Sequence, residues 1–268
     1  MLTTGPAAPH LSPAVIYVNH DIGRRGEGGI LDGPTRDQHG AERNNSQRKA
    51  FLRELDAMIR LRSPHTVNLY GAVTSLPDRL ILVVELLAGG DLQTLLKSEH
   101  PLPEERSRRI VGDICAGMTF LHGKRTVHGD PKSANVLLDG AHRAKIGDFG
   151  NSRLARSTHT TALATYTSQT QISVAWTAPE VFKTHENTYA SDVYSFGIVV
   201  WELLSRELPW ANEHFTQVAI RVAVNGERPE IPVGAPADKA KIARDCWAGE
   251  PQARPKFSAI MEGVKLSG

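Results

Sequence analysis

Two acidic signatures place the heaviest constraint on how this chain can fold. The first is His128-Gly129-Asp130-Pro131-Lys132-Ser133-Ala134-Asn135, and the second is Asp148-Phe149-Gly150, with Ala178-Pro179-Glu180 following. An Asp-Phe-Gly tripeptide alone is a common turn, because Gly punctuates it and Asp tolerates turn geometry. If the segments serve one site, the fold must bring Asp130 and Asp148 together in a cleft. Asp130 offers a carboxylate to hold an attacking hydroxyl, and Lys132 offers a cation for a migrating phosphate. Asn135 and Asp148 offer the hard oxygen donors that Mg²⁺ prefers. Phosphoryl transfer asks a protein for this kind of positioning and charge neutralisation rather than for covalent chemistry.

The remaining text is that of an ordinary globular domain. A length of 268 residues allows one bilobed domain or two small ones, and 40% hydrophobic with 22% charged content is typical of soluble proteins. A formal charge of +2 does not argue for nucleic acid, which calls for a concentrated basic stripe. Arg24-Arg25 and Arg106 with Arg108-Arg109 read as solvated charge. Cys115 and Cys246 sit within apolar helical patterns and are expected to be buried thiols in a reducing compartment. Glu85 and Glu202 interrupt the two best apolar runs, so no membrane span is expected. No secretory signal is visible, and a cytoplasmic location is the default expectation.

Along the chain, Ala14 to Val18 reads as a strand, and Asp21 to Gln47 as a long polar loop or insertion. From Arg48 a helix is expected, with Phe51, Leu55, Met58 and Ile59 at helical spacing. Val67–Val73 and Arg79–Glu85 read as strands, the second a continuous apolar run suited to burial on both faces. Asp91 is placed to cap a helix from Leu92. Two apolar stripes follow, Ile110/Ile114/Gly117/Met118/Leu121 and Val193/Phe196/Val200/Leu203/Leu204.

The motif set resembles the protein kinase family, whose catalytic loop reads H-R-D-x-x-x-x-N ahead of D-F-G and A-P-E. The likeness runs from about Phe51 to about Val264, and Trp176-Thr177-Ala178-Pro179-Glu180 with Cys246-Trp247 and Arg254-Pro255 resembles the tyrosine-kinase-like group of serine/threonine kinases. It implies an α+β, bilobal, protein-kinase-like fold with a small β-rich N-lobe, degenerate or truncated, and a larger helical C-lobe. The implied division is 1–50 as a poorly defined N-terminal segment, 51–87 as the rest of the N-lobe, and 88–268 as the C-lobe. The resemblance implies ATP and Mg²⁺ as cofactors and a protein bearing Ser/Thr hydroxyls as substrate. Asp130, Lys132, Asn135 and Asp148 are then catalytic, with Asn135 and Asp148 on the metal. Glu54 is the carboxylate of helix αC, Val84 the gatekeeper, Glu85 and Leu87 the hinge, and Leu137 a further nucleotide contact. Asp192 would anchor the catalytic loop, and Glu180 would pair with Arg254. His128, Phe149 and Met58 would belong to a stacked spine.

Departures from the family pattern qualify the picture. Gly129 stands where most kinases carry the arginine that reads activation-loop phosphate. Pro131 replaces the usual leucine, restricting Asp130 and removing an amide donor. No G-x-G-x-x-G…V-A-I-K pattern is found, and Lys49 lies on the same helix as Glu54. Tyr17 takes the lysine's place if Ala14–Val18 is that strand, and Gly23, Gly26, Gly28 and Gly29 then follow the strand instead of preceding it. A pseudokinase acting as scaffold or allosteric binding module is the competing reading. Without an arginine at position 129, replacing the Ser and Thr residues between Ser157 and Ser173 by alanine is expected to leave activity largely unchanged. A collapse in the rate of phosphate transfer would contradict this.

Overall fold

A small antiparallel sheet and one long helix come first in the chain, and helices dominate everything after Asp91. The computed structural model describes residues 15–21, 38–75, 79–98, 102–150, 152–154 and 173–266. Strands β1 (Val15–Asp21), β2 (Leu69–Val73) and β3 (Arg79–Glu85) form a sheet of order β1-β3-β2, antiparallel throughout. β3 is therefore central, and its alternation decides the packing: Leu80, Leu82 and Val84 are buried while Ile81 and Val83 are half-covered. The expected burial on both faces is thus only partial. The reason is that helix α1 (Gln38–Arg60) packs against β2 and β3 and covers one face.

That helix begins earlier than the sequence reading placed it, inside the stretch taken for a loop. Residues 38–47 carry no apolar stripe, so periodicity is silent there, although Ala, Glu, Arg and Gln all have good helix propensity. Phe51 and Met58 are buried on its inner face and Leu61 just past its end, with Leu55 packed against the core. Ile59, expected in that stripe, is instead 56% exposed, because one residue beyond Met58 is a 100° turn away from the core. The glycine cluster from Gly23 to Gly29 lies outside the described residues.

The helical lobe opens with β4 (Gly90–Asp91) and α2 (Leu92–Lys97), whose N-terminus is capped as anticipated. Asp91 Oδ1 accepts from the Thr94 amide at 2.8 Å. Helix α3 (Glu104–Gly123) buries Ile110, Ile114, Gly117, Met118 and Leu121 along one stripe. It packs against β7 (Ala144–Ile146), which pairs with β6 (Val136–Leu138), and against the C-terminal helix α8 (Phe257–Leu266). Strands β5 (Thr126–Val127) and β8 (Arg153–Leu154) form a second short pair. Helices α4 (Pro179–Thr184), α5 (Tyr189–Ser205), α6 (Phe215–Ala223) and α7 (Ala237–Cys246) complete the lobe. α5 is its axis, buried on every side from Ser191 to Leu203. Cys115 and Cys246 are buried and free.

The two parts are joined by backbone as well as side chains. The Val67 amide donates to Ile146 O and the Ile146 amide to His65 O, each at 2.9 Å. Packing at the core of the helical lobe is close: a Cβ at Gly197 of α5 would sit 2.9 Å from Cys246 Cβ and 3.2 Å from Ala243 O and Trp247 N on α7. Two of those atoms are backbone and cannot swing aside. Gly197→Ala is expected to destabilise the chain by about 1–3 kcal/mol through overpacking, read as a lowered urea midpoint with unchanged slope.

Candidate active site

The site is built from the start of α5. Asp192 is fully buried there, one turn inside a capping box in which Thr188 Oγ1 accepts from the Ser191 amide and Ser191 Oγ from the Thr188 amide. Its Oδ2 accepts from the His128 amide and its Oδ1 from the Gly129 amide, both at 2.9 Å. His122 Nε2 lies 2.9 Å from Oδ2 as well. A buried carboxylate is costly unless donors surround it, and here they are the backbone of the loop that carries Asp130. Gly129 adopts φ 84°, a left-handed conformation that glycine takes without a Cβ penalty. Pro131 is buried and lines a small apolar cavity together with Ile114, Met118, Phe196 and Val199.

Of the residues expected to be catalytic, Lys132 and Asn135 both bond Asp130. Lys132 Nζ donates to Asp130 Oδ2 and to Ser173 Oγ, each at 2.8 Å. Asn135 Nδ2 donates to the Asp130 carbonyl at 2.9 Å, leaving its amide oxygen as the atom it can offer a ligand. The Gly147 amide donates to Asn135 O at 2.9 Å, and His128 Nε2 lies 3.0 Å from Gly147 O. Asp148 follows directly, exposed and at φ 55°. A left-handed non-glycine residue is uncommon, and such residues gather at functional sites. Phe149 behind it is fully buried, its ring 5.7 Å from that of His128.

Comparison with known proteins decides the identity of this arrangement. Residues 38–264 match the family model described as protein tyrosine and serine/threonine kinase. The chain belongs to the protein kinase family. It is similar to serine/threonine-protein kinase CTR1 of Arabidopsis thaliana, 39% identical over 227 residues that make up 83% of this chain and 26% of that protein. Serine/threonine/tyrosine-protein kinase HT1 of the same plant is 34% identical over 227 residues, 83% of this chain and 56% of HT1. Tyrosine-protein kinase csk-1 of Caenorhabditis elegans is 34% identical over 223 residues, covering 81% and 40% respectively. The chain thus spans between about a quarter and about half the length of these relatives.

In this kinase domain the other predicted residues lie on α1, on β3 and the segment just after it, and on β6. Glu54, on the inner side of α1, is not an ordinary surface charge: burial and the nearby Asp148 carboxylate push it up to about 7. Lys49 is exposed, and the side chain of Tyr17 lies outside what is described. Val84 is buried in β3. The Glu85 amide donates to Asn68 O at 3.0 Å, and its carboxylate is held by Lys145 Nζ at 2.7 and 2.8 Å. Leu87 O accepts from the Gly90 amide at 3.1 Å, and the Leu87 amide finds no acceptor among the described residues. Leu137 is half-buried in β6, its Cδ1 3.4 Å from where a Gly147 Cβ would stand. Arg254 clasps Glu180 with bonds of 2.6 and 2.8 Å, as the resemblance implied. Its guanidinium also lies 5.1 Å from the buried Tyr194 ring, with Arg228 at 5.0 Å.

Residues that the sequence reading did not assign complete the site. Ser173 was grouped with dispensable hydroxyls, yet it bonds Lys132 and so stands apart from the rest of its segment, of which residues 155–172 lie outside the described set. Glu202 served only as an interruption in an apolar run. It is buried, accepts from Ser133 Oγ at 2.6 Å and Trp176 Nε1 at 2.8 Å, and burial pushes it up to about 7. A carboxylate at the end of the apolar run that follows Asp192 in α5 is the available signal. Between pH 4.5 and 7 the unfolded chain releases this proton while the folded chain keeps it, so stability falls as pH rises through that window. At ~1.4 kcal/mol per unit the loss is about 3 kcal/mol. Glu202→Gln is expected to flatten this fall relative to the parent chain, measured as denaturation midpoints from pH 5 to 8.

Proposed function

We propose that this domain transfers the γ-phosphoryl group of ATP to serine or threonine hydroxyls of a protein. The observation that carries the reading is Lys132, held 2.8 Å from both Asp130 Oδ2 and Ser173 Oγ. A lysine two residues beyond the catalytic aspartate resembles the serine/threonine class of kinases. Asp130 orients the acceptor hydroxyl and takes its proton, and Lys132 neutralises charge on the migrating phosphate. Asn135 and Asp148 fit a divalent ion, Mg²⁺ by preference, because they offer an amide and a carboxylate oxygen beside one another on bonded segments. When bound, that ion neutralises phosphate charge and orients the triphosphate. The Leu87 amide and the backbone of Glu85 meet the adenine edge, with Val84 and Leu137 as apolar walls. Two buried, free cysteines suit the reducing cytoplasm.

The test is transfer of labelled phosphate from Mg·ATP to a generic basic protein, followed by identification of the phosphorylated residue. The expected outcome is phosphoserine and phosphothreonine. Asp130→Asn is expected to lower kcat by about 10²–10⁴-fold with nucleotide binding by thermal shift intact. Binding without transfer by the parent chain would favour the scaffold reading. Phosphotyrosine as the main product would overturn the assignment of substrate class.

A further inference from the structure

The bonds around Lys132 and Glu202 close into a ring. Glu202 Oε1 accepts from Ser133 Oγ at 2.6 Å, and Ser133 is the residue after Lys132. Lys132 Nζ reaches Ser173 Oγ at 2.8 Å. The Trp176 amide donates back to Ser173 O at 3.1 Å, closing a 3₁₀ turn over Val174–Trp176. Trp176 Nε1 then returns to Glu202 Oε2 at 2.8 Å. Ser195 of α5 also donates to Trp176 O at 2.8 Å, so the turn is pinned to the same helix twice. One circuit of hydrogen bonds thus links α5, the loop that carries Asp130, and the chain leading into Ala178.

We propose that Glu202 is a positioning residue for phosphoryl transfer, setting the separation of Lys132 and Ser173 by gripping Ser133 and Trp176 at once. This rests on the kinase reading above. Its two oxygens serve two segments, so neither segment shifts without straining the other. A buried carboxylate with both oxygens engaged is a stiff strut, because releasing either donor leaves a buried polar group unsatisfied. Chemically, the strut governs a competition. Lys132 has two partners, Asp130 and Ser173. With Ser173 held in place the lysine is shared, and the carboxylate of Asp130 keeps an oxygen for the acceptor hydroxyl. With the ring open, Lys132 is left to Asp130 alone, and the ion pair draws in the carboxylate that must meet the hydroxyl. The turn at 173–176 also loses its register beside the catalytic loop. Both effects fall on the protein acceptor. The Leu87 amide, just past β3, and Leu137, in β6, lie outside the ring and stay as they are.

The test uses the full 268-residue chain with Trp176→Phe, which keeps the ring system and removes one donor, and Ser133→Ala, which removes the other. For each, kcat/KM for a basic protein substrate is expected to fall about tenfold, with KM for ATP held within about twofold. The double variant is expected to be little worse than the poorer single one, because a ring opened once is already open. Amide exchange supplies a readout independent of activity. In Trp176→Phe, exchange is expected to rise across residues 130–136 of the catalytic loop as well as across 173–177. Faster exchange confined to 173–177, or equal losses in KM for ATP and for protein, would overturn the proposal. If either variant fails to fold, the other carries both measurements. If the parent chain transfers no phosphate, the kinase reading fails, and the exchange pattern alone still decides whether the ring couples the two segments.

Discussion

The buried carboxylate of Asp192 is the contact from which the rest of the site is measured. It is wholly removed from solvent, and the donors that make this tolerable include the amides of His128 and Gly129. Two backbone bonds to two oxygens fix both the position and the direction of the chain as it enters Asp130. From there the geometry propagates through Asn135 to Gly147, and so to Asp148. A loop rich in Gly and Pro has little stiffness of its own. Its precision is borrowed from α5, the most deeply buried helix in the structure.

The same helix disciplines the segments on both sides of Ala178. Arg254 holds Glu180 in a two-pronged pair and also donates to Ala190 O, at the beginning of α5. Glu202, near the other end, holds Trp176 and Ser133. The loop that carries Asp130 and the segment from Trp176 to Glu180 therefore share one rigid reference. The junction with the sheet is a separate construction, made from the backbone bonds of His65 and Val67 to Ile146 and from the Lys145–Glu85 pair. The raised proton affinity of Glu54 on α1 reflects a carboxylate brought out of water beside Asp148.

Much of the site was legible because its chemistry is concentrated in short segments. Asp130, Lys132 and Asn135 lie within one loop, so their convergence needs only a turn. Asp192 and the Glu180–Arg254 pair were legible through family resemblance, since nothing local marks a carboxylate as an anchor. Ser173, Lys145 and Glu202 were not legible as site residues. Their partners lie 41, 60 and 69 residues away in sequence for Ser173–Lys132, Lys145–Glu85 and Glu202–Ser133. The early start of α1 was missed for a different reason: a polar helical turn has propensity but no apolar period to announce it. Ile59 was misassigned because periodicity locates a stripe only to within one residue on either side.

By itself, then, the amino-acid order settled which functional groups exist, the loops that carry them, and the helices and strands whose apolar spacing is regular enough to bury. Those are properties of neighbours in the chain. Only the tertiary structure decided which hydroxyl Lys132 meets, which glutamate is removed from water, and how the catalytic loop is braced against the segment opposite it. These depend on a desolvated environment assembled from distant segments, and the strength of a hydrogen bond or the protonation of an acid follows from that environment rather than from the residue's own identity.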